Sequence, residues 1–310
     1  MLAIMAFLGT WAQSSMRLAT PILLAALGEN LTEKSGVINI GLEGEMLTGA
    51  FVAFAATYLT NSLVLGLFAG ALAGVFVAAL FALTAITLGA DQVVTGTAVN
   101  LLALGLTGFI YRRLFVTSSL ARLVQTFKEV AIPGLSRIPI LGPMFFDQNV
   151  FVYLSLIACA GLWIFLYRTS TGNTIIAAGE HPRAADTLGI NVIRVRWTAV
   201  LVGGALAGIG GAFLSVGHAN TFMENMTAGR GFIALAVVIL GRWNPLGVLA
   251  GSLVFGGANA LQMRIQTLGT NIPNDLVLML PYVLTVLSVI LVSRKRSGSP
   301  AALGVPYRKA

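Results

Sequence analysis

Two carboxylates and one amide interrupt an otherwise uncharged, apolar part of the chain. The segment SGVINIGLEGEMLTGA, residues 35–50, contains Asn39, Glu43 and Glu45. A carboxylate at membrane depth costs about 2.5–3.5 kcal/mol on insertion scales, so such groups usually face a bundle interior or water. Asn39 and Glu43 are four residues apart and would share one face of a helix, where they offer an amide and an acceptor. We predict that this pair lines the path of a polar solute.

Two other interpretations of these acids remain open. The carboxylates could lie at the cytoplasmic membrane interface and only cap a helix or pair with a cation. A proton relay through Glu43 would instead make the chain an ion-coupled secondary transporter or channel for a small polar solute. Glu45 is about 200° around a regular helix from Glu43, so it would pack elsewhere, near Lys34 or Arg242.

Asn100 and Phe222 are two further candidates for the solute path. Asn100 lies in the middle of an apolar window, where an amide either bonds a neighbouring helix or faces a cavity. Phe222 belongs to HANTFMENMTAGRGF, residues 218–232, which combines an aromatic ring with Glu224 and Arg230. This segment is either an ordinary interfacial loop or the outer mouth of the path, in which case Phe222 is a candidate gate.

The sequence lacks the patterns of common catalytic and metal sites. No G-x-x-x-x-G-K-[ST] phosphate loop, H-E-x-x-H pair or Cys/His cluster occurs, and His181, His218 and Cys159 are isolated along the chain. We therefore expect no enzyme activity, no catalytic residue, no metal and no cofactor. Transport against a gradient would then draw on an ion gradient or on another polypeptide.

The composition indicates an integral membrane protein. Hydrophobic residues make up 57% of the 310 residues, charged residues make up 10%, and the mean hydropathy is +0.88. Soluble domains carry about 25% charged residues. Helices are expected, because in lipid every backbone N–H and C=O group must be paired within the segment. The net charge of +8 is more typical of membrane orientation than of nucleic-acid binding, and we expect no nucleic-acid partner.

These features predict an all-α, polytopic transmembrane helical bundle of about eight to ten spans, forming one domain over residues 1–310. The predicted spans are 18–28 with an extension back to residue 3, 37–59, 62–87, 93–111, 149–167, 197–218, 226–241, 246–263 and 276–293. Glycines four residues apart, as at Gly70 and Gly74, favour close helix packing. The Gly-interrupted start of the second span and the short seventh span predict broken or short helices that line a cavity.

The distribution of Lys and Arg predicts the orientation of the bundle. If the tail with Arg294, Lys295 and Arg296 is cytoplasmic, the inner segments hold more of the 19 basic residues than the outer ones. Residues 168–196 then form a cytoplasmic loop and residues 112–148 a long external loop. We expect a multi-pass protein of the plasma or inner membrane with a cytoplasmic C-terminus.

Three stretches in this order resemble one protein family. They are GENLTEKSGVINIGLEGEMLTGAFVAF (28–54), AAGEHPRAADTLGINV (177–192) and TAGRGFIALAVVILGRWNPLGVLAGSLVFGGANALQMRIQ (227–266). They resemble the permease subunits of ATP-binding-cassette (ABC) importers for nucleosides and simple sugars, with branched-chain amino-acid and ribose permeases as more distant relatives. The NIGLEG and GRWNPLG motifs are more similar to those of the nucleoside branch, although Lys34 replaces the Arg that is usual before SGV.

This resemblance implies a set of partners and a coupling site. The partners are a second permease subunit, identical or paralogous, two cytoplasmic ATPase subunits that hydrolyse the ATP, and an extracytoplasmic substrate-binding protein. The residues alone predict only a short loop helix that begins near Pro182 and ends at Gly189, either solvated or docked on a partner. By matching position, the resemblance assigns ATPase coupling to Gly179, Glu180, His181, Pro182, Ala184, Ala185, Leu188, Gly189 and Ile190.

Overall fold

The computed structural model describes residues 2–115, 123–134, 136, 138, 140–267, 276, 279, 283, 286, 287, 290 and 298–308. Within these residues, five helices are long and apolar enough to cross a membrane. The prediction of an all-α, polytopic bundle is confirmed. The predicted last span, 276–293, falls almost entirely outside the described residues.

The helices follow the predicted order closely. They are α1 (Leu2–Lys34), α2 (Leu42–Thr60), α3 (Leu63–Ala82), α4 (Gln92–Phe115), α5 (Val150–Arg168), α6 (Ser170–Glu180), α7 (Pro182–Thr187), α8 (Val192–Ala212), α9 (Arg230–Leu240) and α10 (Pro245–Thr267). Two π-helical segments, Leu83–Thr87 and Phe213–Ala219, continue α3 and α8. The first helix is one element of 33 residues with Pro21 inside it, so the helix extends towards the N-terminus from residues 18–28; it is not among the five helices counted above.

A small antiparallel sheet, which was not predicted, lies in the segment 112–148 and just beyond it. Its strands are β1 (Glu129–Ala131) and β2 (Asp147–Asn149), with Glu129 opposite Asn149. Gln148 is fully buried, and its side-chain amide donates to the backbone oxygens of Gln13, Pro143 and Met144. The sheet is therefore fixed to the N-terminal half of α1.

Glycine allows the central helices α1, α2, α3 and α8 to pack closely. A Cβ atom added to Gly49 of α2 would collide with the backbone of Gly208 in α8, and one added to Gly74 of α3 would meet Gly204 and Gly208. Helix backbones can approach this closely only where side chains are absent. The packing predicted from glycines four residues apart is thus present between α3 and α8.

The chain between α1 and α2 is not helical. Helix α2 begins at Leu42, so the predicted start of a helical span at residue 37 is wrong. Gly36 has a φ of +92°, a conformation that favours glycine, and it turns the chain out of α1. Residues 35–41 therefore form a linker that runs into α2, and Asn39 does not share a helical face with Glu43. Helix α9 has only 11 residues, as its short apolar run predicts.

Candidate functional site

Glu43 lies in the first turn of α2 and binds the start of another helix. Its Oε1 atom accepts a hydrogen bond from the backbone N–H of Gly229 at 2.8 Å, and its Oε2 atom accepts one from Gly231 at 2.6 Å. Gly229 is the N-cap residue of α9 and offers no side-chain cap of its own. A carboxylate compensates both the unpaired N–H groups and the positive end of the helix dipole. Glu43 therefore caps α9 from a helix far away in sequence.

Asn100 of α4 binds the linker and the start of α2. Its Oδ1 atom accepts from the N–H of Gly44, and its Nδ2 atom donates to the carbonyl oxygen of Ile40, both at 2.8 Å. These two bonds satisfy backbone groups that the break before α2 leaves without helical partners. Asn100 thus makes the bond to a neighbouring element that was one of its two predicted roles.

Glu43 and Asn100 also line one cavity of about 300 Å³. The remaining lining residues are Gly44, Leu47, Thr97, Leu101, Leu104, Asn225, Gly229 and Phe232. The volume is at the lower end of the range found for small-molecule sites. The cavity therefore combines a few polar groups with a largely apolar wall.

Thr97 and Asn225 are polar residues of this cavity that the sequence analysis did not single out. Asn225 is exposed and lies in the irregular segment before α9, with a φ of 56°. It belongs to the stretch 218–232 that was noted for Phe222, but no spacing in the sequence distinguishes it from its neighbours. Only the fold brings it beside Glu43.

Asn39 and Glu45 are both buried and bind each other. The Nδ2 atom of Asn39 donates to Oε1 of Glu45 at 2.7 Å, and its backbone N–H donates to Oε1 of Glu29 at 2.8 Å. The bonded partner of Glu45 is thus Asn39, and its predicted place near Lys34 or Arg242 stays a prediction. The structure also places Asn39 outside the lining of the cavity that contains Glu43.

Phe222 packs in a cluster of aromatic rings. It is 1% exposed, and its ring centroid lies 5.2 Å from Phe51 of α2 and 5.1 Å from Tyr111 of α4. Leu47 belongs to this aromatic cluster and also lines the cavity. Arg112, which follows Tyr111 in the sequence, forms an exposed ion pair of 2.6 Å with Glu224. Phe222 therefore joins the segment before α9 to α2 and α4 beside the cavity wall.

The predicted loop helix is present as α7. Pro182 occupies its first position, and Gly189 follows its end with a φ of +83°, as the residue types predict. Ala185 is buried against Ala178 and Val192. Leu188 is 81% exposed, and Ala184 is exposed as well. The segment is thus anchored on one side and presents small and apolar residues on the other.

A multi-pass bundle with a partly polar cavity and an exposed loop helix is consistent with a membrane permease, and the family match shows this class. The chain belongs to the family described as "Branched-chain amino acid transport system / permease component", which matches residues 12–289. It is 39% identical over 300 residues to the guanosine ABC transporter permease protein NupQ of Bacillus subtilis (strain 168), covering 94% of each chain. It is 38% identical to TsgC13 of Haloferax volcanii, provisionally named a glucose ABC transporter permease protein, covering 85% of this chain and 80% of the relative.

A solved ABC transporter structure in an inward-facing conformation has the same fold. The TM-score is 0.54 at 13% identity, over 91% of this chain and 85% of the other. The prediction of an ABC-type permease subunit is confirmed by the family and by these relatives. Membership of the family implies an ATPase, a substrate-binding protein and a second permease subunit as partners, and it places the chain among subunits that are not themselves enzymes.

Proposed function

We propose that this chain forms part of the translocation path of an ABC importer for nucleosides, with simple sugars as the second candidate substrate. We choose nucleosides because the chain is 39% identical to a guanosine permease protein over 94% of each chain. The similar identity to a relative named for glucose keeps sugars as the alternative. Both substrate classes present hydroxyl groups, which carboxylate, amide and hydroxyl side chains bind.

The cavity beside Glu43 supports a place for the path. Asn225 and Thr97 offer an amide and a hydroxyl to the solute, and Phe232 offers an apolar face to a nucleobase. Because Glu43 and Asn100 are already bonded to backbone groups, they shape the cavity and act on the solute with their remaining acceptor capacity. Phe222 supports the wall of the path from its aromatic cluster, and Asn39 holds the polar linker.

The ATPase docks on residues 179–190, which we call the coupling segment, in this proposal. The exposed face of α7 with Ala184 and Leu188 contacts the partner, and the buried Ala185 holds α7 in place. Residues 168–196 and the C-terminus are then cytoplasmic, and residues 112–148 lie on the side of the substrate-binding protein. The chain acts as one transmembrane domain with no cofactor of its own, and the second permease subunit is identical or paralogous.

The test is uptake into proteoliposomes that contain this chain with its ATPase, its second permease subunit and its binding protein. We expect ATP-dependent uptake of radiolabelled guanosine that unlabelled nucleosides reduce and glucose does not. Competition by glucose alone would assign the path to sugars instead. Uptake by the chain without ATPase under an ion gradient would support the ion-coupled alternative. The bonding of both Glu43 oxygens to backbone N–H groups is the observation against that alternative.

A further inference from the structure

Residues 298–308, which we name the C-terminal strap, bind the base of the coupling segment. The N–H of Ala302 donates to the carbonyl oxygen of Gly179 at 2.9 Å. The N–H of Ala301 donates to Oε2 of Glu180 at 3.1 Å. Gly179 and Glu180 are the last residues of α6, directly before α7. The strap therefore holds the hinge between these two helices.

The same strap binds the linker between α1 and α2. The N–H of Gly304 donates to the carbonyl oxygen of Gly36 at 3.1 Å. The guanidinium of Arg196 donates from Nη1 to the carbonyl oxygen of Val305 at 2.9 Å and from Nε to that of Ser35 at 3.2 Å. Arg196 is only 2% exposed. One buried cation thus joins the strap to the linker.

Glycine brings the linker and the coupling segment into direct contact under the strap. A Cβ atom on Gly179 would collide with the backbone of Lys34 and Gly36. On the outer side, Tyr307 packs on the cluster of Ala178, Ala185 and Val192 that supports α7. The strap therefore fastens α7 and the linker to each other from two directions.

The linker continues to the cavity through bonded groups. Beyond Gly36, the carbonyl oxygen of Ile40 accepts from Asn100, and the side chain of Asn39 donates to Glu45. Closely packed elements transmit displacement to one another rather than absorbing it. We propose that the C-terminal strap fastens the coupling helix to the linker, so that displacement of α7 by the ATPase reaches the cavity through residues 35–41. This inference depends on the proposed docking of the ATPase at α7.

The sharpest test is Ala302→Pro, which removes the N–H group that donates to the carbonyl oxygen of Gly179. Ala302→Gly is the matched control, because it changes the same residue and keeps the donor. In the reconstituted complex, we expect Ala302→Pro to lower ATP-driven guanosine uptake about tenfold, as expected for leaving a backbone acceptor unpaired. The ATPase should remain bound. Amide hydrogen exchange of residues 35–41 and 179–192 should accelerate, and Ala302→Gly should match the wild type in both measurements.

Two results would overturn the role of the strap. One is unchanged exchange and uptake in Ala302→Pro; the other is release of the ATPase, which would make the strap a docking surface rather than a link. Removal of residues 299–310 provides a second variant with the same expected and contrary results. A Leu188→Asp variant that keeps the ATPase bound would contradict docking at α7 itself, and so separates failure of the proposed function from failure of the strap.

Discussion

The cavity beside Glu43 and helix α7, the proposed contact of the ATPase, are built in opposite ways. In the cavity, Glu43 and Asn100 use their side chains to bind backbone groups of other elements, so the polar groups are held in place before any solute arrives. Helix α7 is a short element with a buried alanine on one side and an exposed leucine after its end. If the proposed function is right, the cavity is a preorganised site and α7 is a contact surface. Four substitutions test this difference.

Glu43→Ala should have the largest effect, because it leaves two N–H groups at the start of α9 without an acceptor. We expect a loss of about 2–4 kcal/mol in the free energy of unfolding, because the two N–H groups stay buried without a hydrogen-bond acceptor and bear the full cost of their desolvation. Uptake should fall below detection. Thermal unfolding in detergent measures the stability. Glu224→Ala is the control, because that carboxylate is exposed, and equal stability losses in the two variants would contradict the capping role.

Leu188→Asp should separate binding from folding at α7. The side chain is 81% exposed, so the substitution should leave the melting temperature of the isolated chain unchanged. A charge placed in an apolar contact should reduce co-purification of the ATPase about tenfold or more. Pull-down at equal expression measures this. Ala185→Trp is the contrasting variant, because overpacking a buried site should also destabilise the chain by about 1–3 kcal/mol.

Asn225→Gly should affect the solute and not the fold, because glycine removes the side-chain amide and readily adopts the φ of 56° that Asn225 has. Its side chain is exposed to the cavity, and loss of one hydrogen bond of about 0.5–1.5 kcal/mol corresponds to roughly a 2- to 12-fold change. We expect the KM for guanosine uptake to rise by this factor without a change in melting temperature. An unchanged KM would remove Asn225 from the path, and a lower melting temperature would make it structural.

Arg112→Ala should have the smallest effect. The side chains of its ion pair with Glu224 are 60% and 41% exposed, and such pairs contribute about 0–1 kcal/mol. The stability difference from the wild type should disappear in 1 M salt, because salt screens exposed charges. Thermal unfolding at low and high salt measures it. A large loss of stability that persists in high salt would mean that the Arg112–Glu224 pair helps to hold the residues of the cavity in place.

Local residue types predicted α7 well and the cavity only in part. Pro182 and Gly189 determine the start and end of a short helix by their own backbone preferences. Glu43 stands out by its charge, but its partners Gly229 and Gly231 are 186 and 188 residues away, and no spacing rule connects them. The prediction that Asn39 and Glu43 share a helical face was wrong, because the chain leaves the helical conformation at Gly36 and α2 begins only at Leu42.

The cap that Glu43 places on α9 also has a consequence for biosynthesis. The ribosome makes Glu43 186 residues before its first partner, Gly229. At about 5–20 residues per second, roughly 10–40 s pass between the two. Through that interval the carboxylate lacks both N–H groups that bind it in the finished protein. We expect the newly inserted N-terminal half to remain open to water or to a membrane chaperone until α9 arrives and completes the assembly.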